Sequence, residues 1–339
     1  MPDTNLRGNI MKNKNLLIVA VISMIISSCA SVKIDYSSTF VPEEGGMKFT
    51  KITDENIENI PAASFYRDIN TGKCVWWHGY PMAISNDGKS IAYQVRKNGR
   101  DNIFVKSTTG IGSSVQRTFR SNVNDVAFSP DDETLCFSET EGYYSYICTT
   151  KAKQGSIIQR ISPQNVEDYH PCYSRDGSKI FFSRKEGSSY SIWSYDVEKK
   201  IFTNYCHGEQ PIPINDEEII CTRQNNRGNC EIWKINYVHG TEYLILSSTN
   251  QSFTNPAISP NGEWILVTAN TRPNGEKKGE NLDIYVVKTD GTNLTQLTYH
   301  KVDDSMPIWS KDGKEIYFIS KRGTVRGHNN IWKMDFNLE

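Results

Sequence analysis

Little in this sequence leans to one side. Its 38 Lys and Arg are balanced by 39 Asp and Glu, for a formal net charge of −1. No global positive field therefore draws the chain to nucleic acid, and nucleic-acid binding is not expected. No apolar run approaches the ~20 residues that a membrane-spanning helix needs. The motif inventory is equally thin: H-E-x-x-H, the P-loop, G-x-G-x-x-G, G-x-S-x-G and C-x-x-C are all missing. Those absences remove the sequence grounds for zincin, nucleotide-binding, serine-hydrolase and thioredoxin-type chemistry. Six scattered histidines show no metal-ligand spacing, so neither a metal nor a cofactor is expected. What remains is ample for a core. Hydrophobic residues make up 37% and aromatics 11% of the 339 residues, which argues against disorder.

The N-terminus has its own grammar. A short basic stretch (11–15, MKNKN) precedes eleven apolar or small residues at 16–26, then Ile26-Ser27-Ser28-Cys29. That core is too short to span a bilayer and right for a signal-peptide h-region. Small residues before a cysteine at this point resemble the lipobox of bacterial lipoproteins. The resemblance implies cleavage before Cys29 and acylation of that residue, with 1–28 as signal peptide and Met11 opening a complete signal by itself. Residues 29–46 then read as a tether, and acyl chains would hold the protein on a membrane surface of the cell envelope. No Asp follows Cys29, which favours the outer membrane.

The main signal is a repeat. Residues 171–196 read as an apolar run, Ser-Arg-Asp-Gly, a second apolar run, a Gly-containing turn, then Ile-Trp. Physically this is three short strands and two tight turns. Equivalent copies begin near 81, 126, 211, 256 and 307. The turn serines are Ser85, Ser129, Ser174, Ser259 and Ser310, with Ile214 in the fourth copy; spacings are 44, 45, 40, 45 and 51 residues. A period near 40–45 with several strands per unit predicts propeller blades, because one such sheet cannot bury both faces alone. The chain is expected to be an all-β, six-bladed β-propeller over 47–339. Each third strand carries an apolar pair, such as Ile192-Trp193 and Ile331-Trp332, expected to pack between blades. The sixth copy lacks a fourth strand, which must come from the N-terminal side to cover the open edge. Composition favours Phe49 to Thr53 for that role, and spacing favours Cys74 to Trp77.

The unit P-x-[WYFI]-S-x-D-G-x-x-I-x-F-x-S followed by I-[WYF], seen plainly at 307–318 (PIWSKDGKEIYF), resembles the repeat of TolB-type six-bladed β-propellers. The resemblance covers roughly 47–339 and implies the fold. It also implies an envelope role, since the family's namesake binds an outer-membrane lipoprotein. Similar rings occur in prolyl-oligopeptidase-type peptidases and in some uronate lyases.

Two functions follow. The first is a lipid-anchored protein-binding or scaffolding module with an envelope protein as partner. The alternative is a channel-mouth enzyme or ligand-binding protein acting on carbohydrate or peptide. The place for either is the channel mouth, where loops entering the inner strands carry His78, Asp125, Asp168, His170, Glu209, Asn255 and Asp304. Carboxylates and histidines from different blades can meet there to bind a cation, a cationic peptide end or a sugar. Long charged loops at 271–281 and 321–329, the second with Lys321, Arg322 and Arg326, are candidate contact surfaces. Seven cysteines besides Cys29 leave an odd thiol, and Cys221 and Cys230 flank one hairpin turn as a possible disulfide.

Overall fold

Each Ser-x-Asp-Gly turn closes for the same local reason. In the computed structural model of the chain, the Ser174 hydroxyl donates to Asp176 Oδ1 at 2.6 Å and accepts the Lys179 amide at 2.9 Å. Ser85, Ser129 and Ser310 repeat the pair of bonds with Asp87, Asp131 and Asp312, and Ser259 does so with Asn261. The serine is thus donor and acceptor at once, a combination no apolar residue supplies. Gly177, at φ 76°, takes the left-handed position that follows. In the second repeat Asp132 stands there at φ 60° instead. Its carboxylate accepts the Asn86 and Asp87 amides, at 2.6 and 2.9 Å, which stitches two adjacent turns together.

These turns have a measurable consequence. The Ser174 hydroxyl, then Ser178, holds the Asp176 carboxyl down at about 2. Asp87, Asp131 and Asp312 are lowered in the same way, first by the hydroxyls of Ser85, Ser129 and Ser310. A carboxyl depressed in the folded state stabilises above its unfolded value of ~3.9 and loses that contribution as pH falls through its folded value. Stability is therefore expected to decline between about pH 4 and pH 2, the window set by these shifts. The denaturant midpoint of Ser174→Ala measured across that range should fall less steeply than that of the parent.

The structure describes residues 47–53 and 80–336 apart from 98, 120–121, 154–156, 272–280 and 324–326. It also describes Ile60 and short strands at Glu43–Glu44, Ser64–Arg67 and Cys74–Trp77. Cys29, the tether up to residue 42 and His78 lie outside the described residues. All the strands belong to the unit Asp35–Glu339.

Six antiparallel sheets follow the repeat; the first five are meanders in chain order, and the sixth is completed from the N-terminal side. From axis to rim, blade one is Met82–Ile84, Ser90–Lys97, Arg100–Ser107 and Val115–Gln116. Blade two is Val123–Phe128, Thr134–Glu141, Tyr144–Lys151 and Gln159–Arg160; blade three is Asp168–Tyr173, Lys179–Glu186, Ser189–Asp196 and Phe202–His207. Blade four is Glu209–Pro213, Glu218–Gln224, Cys230–Asn236 and Thr241–Leu246. Blade five is Phe253–Ile258, Trp264–Thr271, Asn281–Lys288 and Thr295–Gln296. Blade six is Asp304–Trp309, Glu315–Ser320 and Asn330–Asp335, with Met47–Lys51 as its fourth strand and the short Glu43–Glu44 paired outside it. Ile103, Ile147, Ile192, Ile232, Ile284 and Ile331 of the third strands are each fully buried between blades.

The N-terminal choice is settled by pairing: Phe49, Thr50 and Lys51 face Met334, Lys333 and Trp332. Cys74–Trp77 pairs with Ser64–Arg67 in a separate hairpin. A hydroxyl just past the rim strand explains the preference. Thr118, Ser162 and Thr298 each accept the amide of a third-strand isoleucine, Ile103, Ile147 and Ile284, at 2.8–3.0 Å. Thr53 does the same for Ile331 at 2.9 Å, so the segment fills a fourth-strand role in full. The ring's ends then share one cluster, in which Met82, Ile91 and Tyr93 of blade one meet Met306, Tyr317 and Ile319 of blade six.

Candidate functional site

Five inner strands carry the same irregularity where they enter the channel. Asp125, His170, Gln210, Asn255 and Met306 sit at φ 50–56°, and the inner-strand register slips at each. The left-handed region costs a non-glycine residue about 1–2 kcal/mol, so a repeated bulge needs a repeated compensation. Here it is a circumferential chain of hydrogen bonds. The Asp125 carboxylate accepts the Tyr80 amide at 2.9 Å, the His170 amide at 3.1 Å and the Ser138 hydroxyl at 2.7 Å. Ser183 Oγ accepts the Gln210 amide at 2.9 Å, and Gln210 Oε1 in turn accepts the Asn255 amide and the Thr222 hydroxyl, each at 3.0 Å. Thr268 Oγ1 accepts the Met306 amide at 2.9 Å. Neighbouring blades are thereby tied at the waist of the channel.

That chain fixes where the residues singled out from sequence stand. Asp125 and His170 come together at the waist, joined by the bond just described, and Asn255 lies on the same ring through Gln210. Asp168 and Asp304 are committed to arginines instead. Arg184 grips Asp168 with two bonds at 2.7 and 2.9 Å, and Ser162 adds a third at 2.7 Å. Arg322 pairs with Asp304 and stacks 4.3 Å from the centre of the Phe49 ring in the closing strand. Arg322 is therefore a buried member of the core, 1% exposed, and not the loop-surface contact expected from its charge. The Cys221–Cys230 disulfide is likewise not present: hairpin register sets Cys221 opposite Trp233 and Cys230 opposite Gln224, three positions apart.

Sequence reasoning passed over Tyr80, which occupies the waist position in blade one. Its hydroxyl donates to the Pro256 carbonyl of blade five at 3.0 Å, and its ring meets His170 of blade three edge-on at 6.4 Å. One side chain thus touches three alternate blades and stands across the axis. Burial above all, with nearby thiols and carboxylates adding, pushes its phenol well above the ordinary value. The available signal was Tyr80-Pro81, which aligns with His170-Pro171, Gln210-Pro211, Asn255-Pro256 and Met306-Pro307.

Tyr80 divides the channel. Toward the Ser-x-Asp-Gly turns lies a cavity of about 630 Å³, walled by inner strands of all six blades and including Cys172, Trp309 and Lys311. Toward the entering loops stands Glu209, half-buried at the channel mouth. The Gly208 amide bonds the Tyr190 carbonyl at 2.9 Å, which sets Glu209 beside Tyr190. Tyr169 lies edge-on to Tyr190 at 6.4 Å and near His170 at 6.1 Å, and its hydroxyl donates to Glu167 at 3.3 Å. Glu167 is also paired with Lys185 at 2.9 Å. Burial pushes the Glu209 carboxyl up to about 7. No hydrogen-bond or ion-pair partner for that carboxylate exists among the described residues, and no three His, Cys, Asp or Glu among them converge into a metal site.

The chain is 22% identical over 204 residues to an uncharacterized protein of Agrobacterium fabrum, which covers 58% of this chain and 69% of that one. The crystal structure of TolB from Acinetobacter baumannii superposes with a TM-score of 0.60 at 16% identity over 74% of this chain. The chain spans 64% of that protein's length. An oligogalacturonate lyase from Vibrio parahaemolyticus superposes with a TM-score of 0.53 at 12% identity, over 86% of this chain and 97% of that one. At such identities these likenesses establish the fold alone. Residues 81–277 match the family described as the TolB beta propeller domain, and with the six-bladed ring above, the chain belongs to the TolB β-propeller family.

Proposed function

We propose that this propeller is a protein-binding module of the bacterial cell envelope, held at a membrane surface by lipid on Cys29 and displayed on the tether 29–46. The observation that carries the reading is the loop-side channel mouth. Glu209, Tyr169 and Tyr190 are half-buried there, on a frame whose polar groups are already engaged in blade-to-blade bonds. A rigid frame carrying a few accessible aromatic and charged groups suits recognition, because little conformational freedom is lost on binding. Family membership supports the same reading. The test is a pull-down of the lipidated protein from native membranes, beside Cys29→Ser. One envelope protein retained in stoichiometric amount, with Cys29→Ser released into the soluble fraction, is the expected result. A Cys29→Ser chain that stays in the membrane fraction would exclude the anchor, and no retained protein would exclude the module.

One feature favours a second reading, a channel-mouth enzyme acting on carbohydrate. A carboxyl near 7, as at Glu209, suits a general acid or base at neutral pH. Turnover of an oligogalacturonate by the parent that is abolished in Glu209→Gln would establish it.

A further inference from the structure

Four arginines of this protein are bound in one way, by a carboxylate at one edge and an aromatic ring on a face. Arg160 meets Glu141 at 2.6 Å and lies 3.8 Å from the centre of the Tyr146 ring. Arg184 joins Asp168 at 2.7 Å and lies 4.5 Å from Trp193. Arg223 makes two bonds to Glu242, at 2.7 and 2.8 Å, and lies 5.0 Å from Trp233. Arg322 pairs with Asp304 against Phe49. The chemistry is general: the guanidinium fork matches a carboxylate bidentately while its weakly hydrated face stacks on a π-system.

The loop-side channel mouth has the same two components. Glu209 supplies the carboxylate, and Tyr190 and Tyr169 supply rings set edge to face at 6.4 Å. Lys185, on the same side of the ring as Tyr169, is engaged by Glu167. An ionised carboxylate that is largely surrounded by protein is costly unless a cation meets it. We propose that this half-buried group receives the guanidinium of an arginine side chain on the protein partner, with Glu209 as the bidentate acceptor and Tyr190 and Tyr169 as the stacking faces. The inference rests on the protein-binding reading and names the group that reading leaves open.

The carboxyl must be ionised to act. Burial holds Glu209 near 7, so binding is expected to strengthen from pH 6 to pH 8. Tyr80 and Tyr190 face it and their hydroxyls stay protonated across that range, each pushed upward by burial first. Asp125, Glu167 and His170 lie in the next layer, so the Glu209→Gln variant identifies which group carries the effect.

The test uses n-butylguanidinium as probe, with n-pentanol as a neutral control of similar size, followed by saturation-transfer NMR on the intact protein. Saturable binding at pH 8 is expected. It should weaken about tenfold or more at pH 6 and in Glu209→Gln, which removes one charge-assisted contact. Tyr190→Leu should weaken it by about fivefold through loss of a stacking face. Thermal melting of both variants checks that they fold, and Tyr190→Phe, which keeps the ring, should bind as the parent does. Absence of saturable binding at pH 8, or equal binding by Glu209→Gln, would overturn the inference. A protein partner still captured by Glu209→Gln would overturn it as well, while leaving the protein-binding reading intact.

Discussion

A chain beginning at residue 54 is expected to lose about 5 kcal/mol of stability relative to one beginning at residue 47, because two large apolar side chains and a buried hydroxyl go with the segment. Phe49 is 4% exposed and packs edge-on against Phe318 at 6.0 Å. Ile52 joins the cluster shared by blades one and six, and its amide bonds the Ile331 carbonyl at 2.8 Å. Without the segment, Asn330–Asp335 becomes a bare sheet edge and Arg322 loses a ring over which it stacks. The expected readout is a lower melting temperature with self-association on size-exclusion chromatography. Thr53→Val isolates one contribution: it keeps the shape, strands the Ile331 amide and should cost about 1–3 kcal/mol. A shortened chain that stays monomeric and melts with its parent would show that the ring closes without this strand.

The second large effect is expected at Asp125. Its carboxylate satisfies three buried donors from three blades, the amides of Tyr80 and His170 and the hydroxyl of Ser138. Asp125→Ala strands all three, and at about 1–3 kcal/mol for each buried unmet donor the loss should reach roughly 3–5 kcal/mol. Asp125→Asn keeps one acceptor oxygen and tolerates the left-handed backbone, so an intermediate loss is expected. Chemical denaturation of the three proteins provides the measurement. Because Asp125 positions both Tyr80 and His170, the alanine variant should also blunt recognition at the loop-side channel mouth. A loss below 1 kcal/mol for Asp125→Ala would mean that the waist is held by something other than this chain of bonds.

How far the residues alone reach can be judged from these two positions. Thr53 was legible in principle: the hydroxyl two residues after Val115–Gln116, Gln159–Arg160 and Thr295–Gln296 recurs two residues after Met47–Lys51, whereas Gly79 holds that position after Cys74–Trp77. Asp125 was found from sequence as a polar residue at the channel mouth, but its bulge was not. A residue before proline is ordinarily extended, and five of the six waist positions precede proline, four of them left-handed, so nothing local announces a left-handed backbone. Asp168 and Asp304 looked alike for the same reason: each is an acid in an entering loop, and only folding brings Arg184 and Arg322 to them.

The sequence by itself determined the number of blades, their order, the turns and the buried third-strand isoleucines, since those depend on contacts within about 20 residues and on a repeat that cannot bury its faces alone. The tertiary structure decided which N-terminal segment closes the ring, that Tyr80 stands across the channel, and which acids remain accessible. Those outcomes join residues up to 278 positions apart, as Thr53 and Ile331 are. Pairings at that range are selected by the geometry of the closed ring, and local pattern marks them only at single residues such as Thr53.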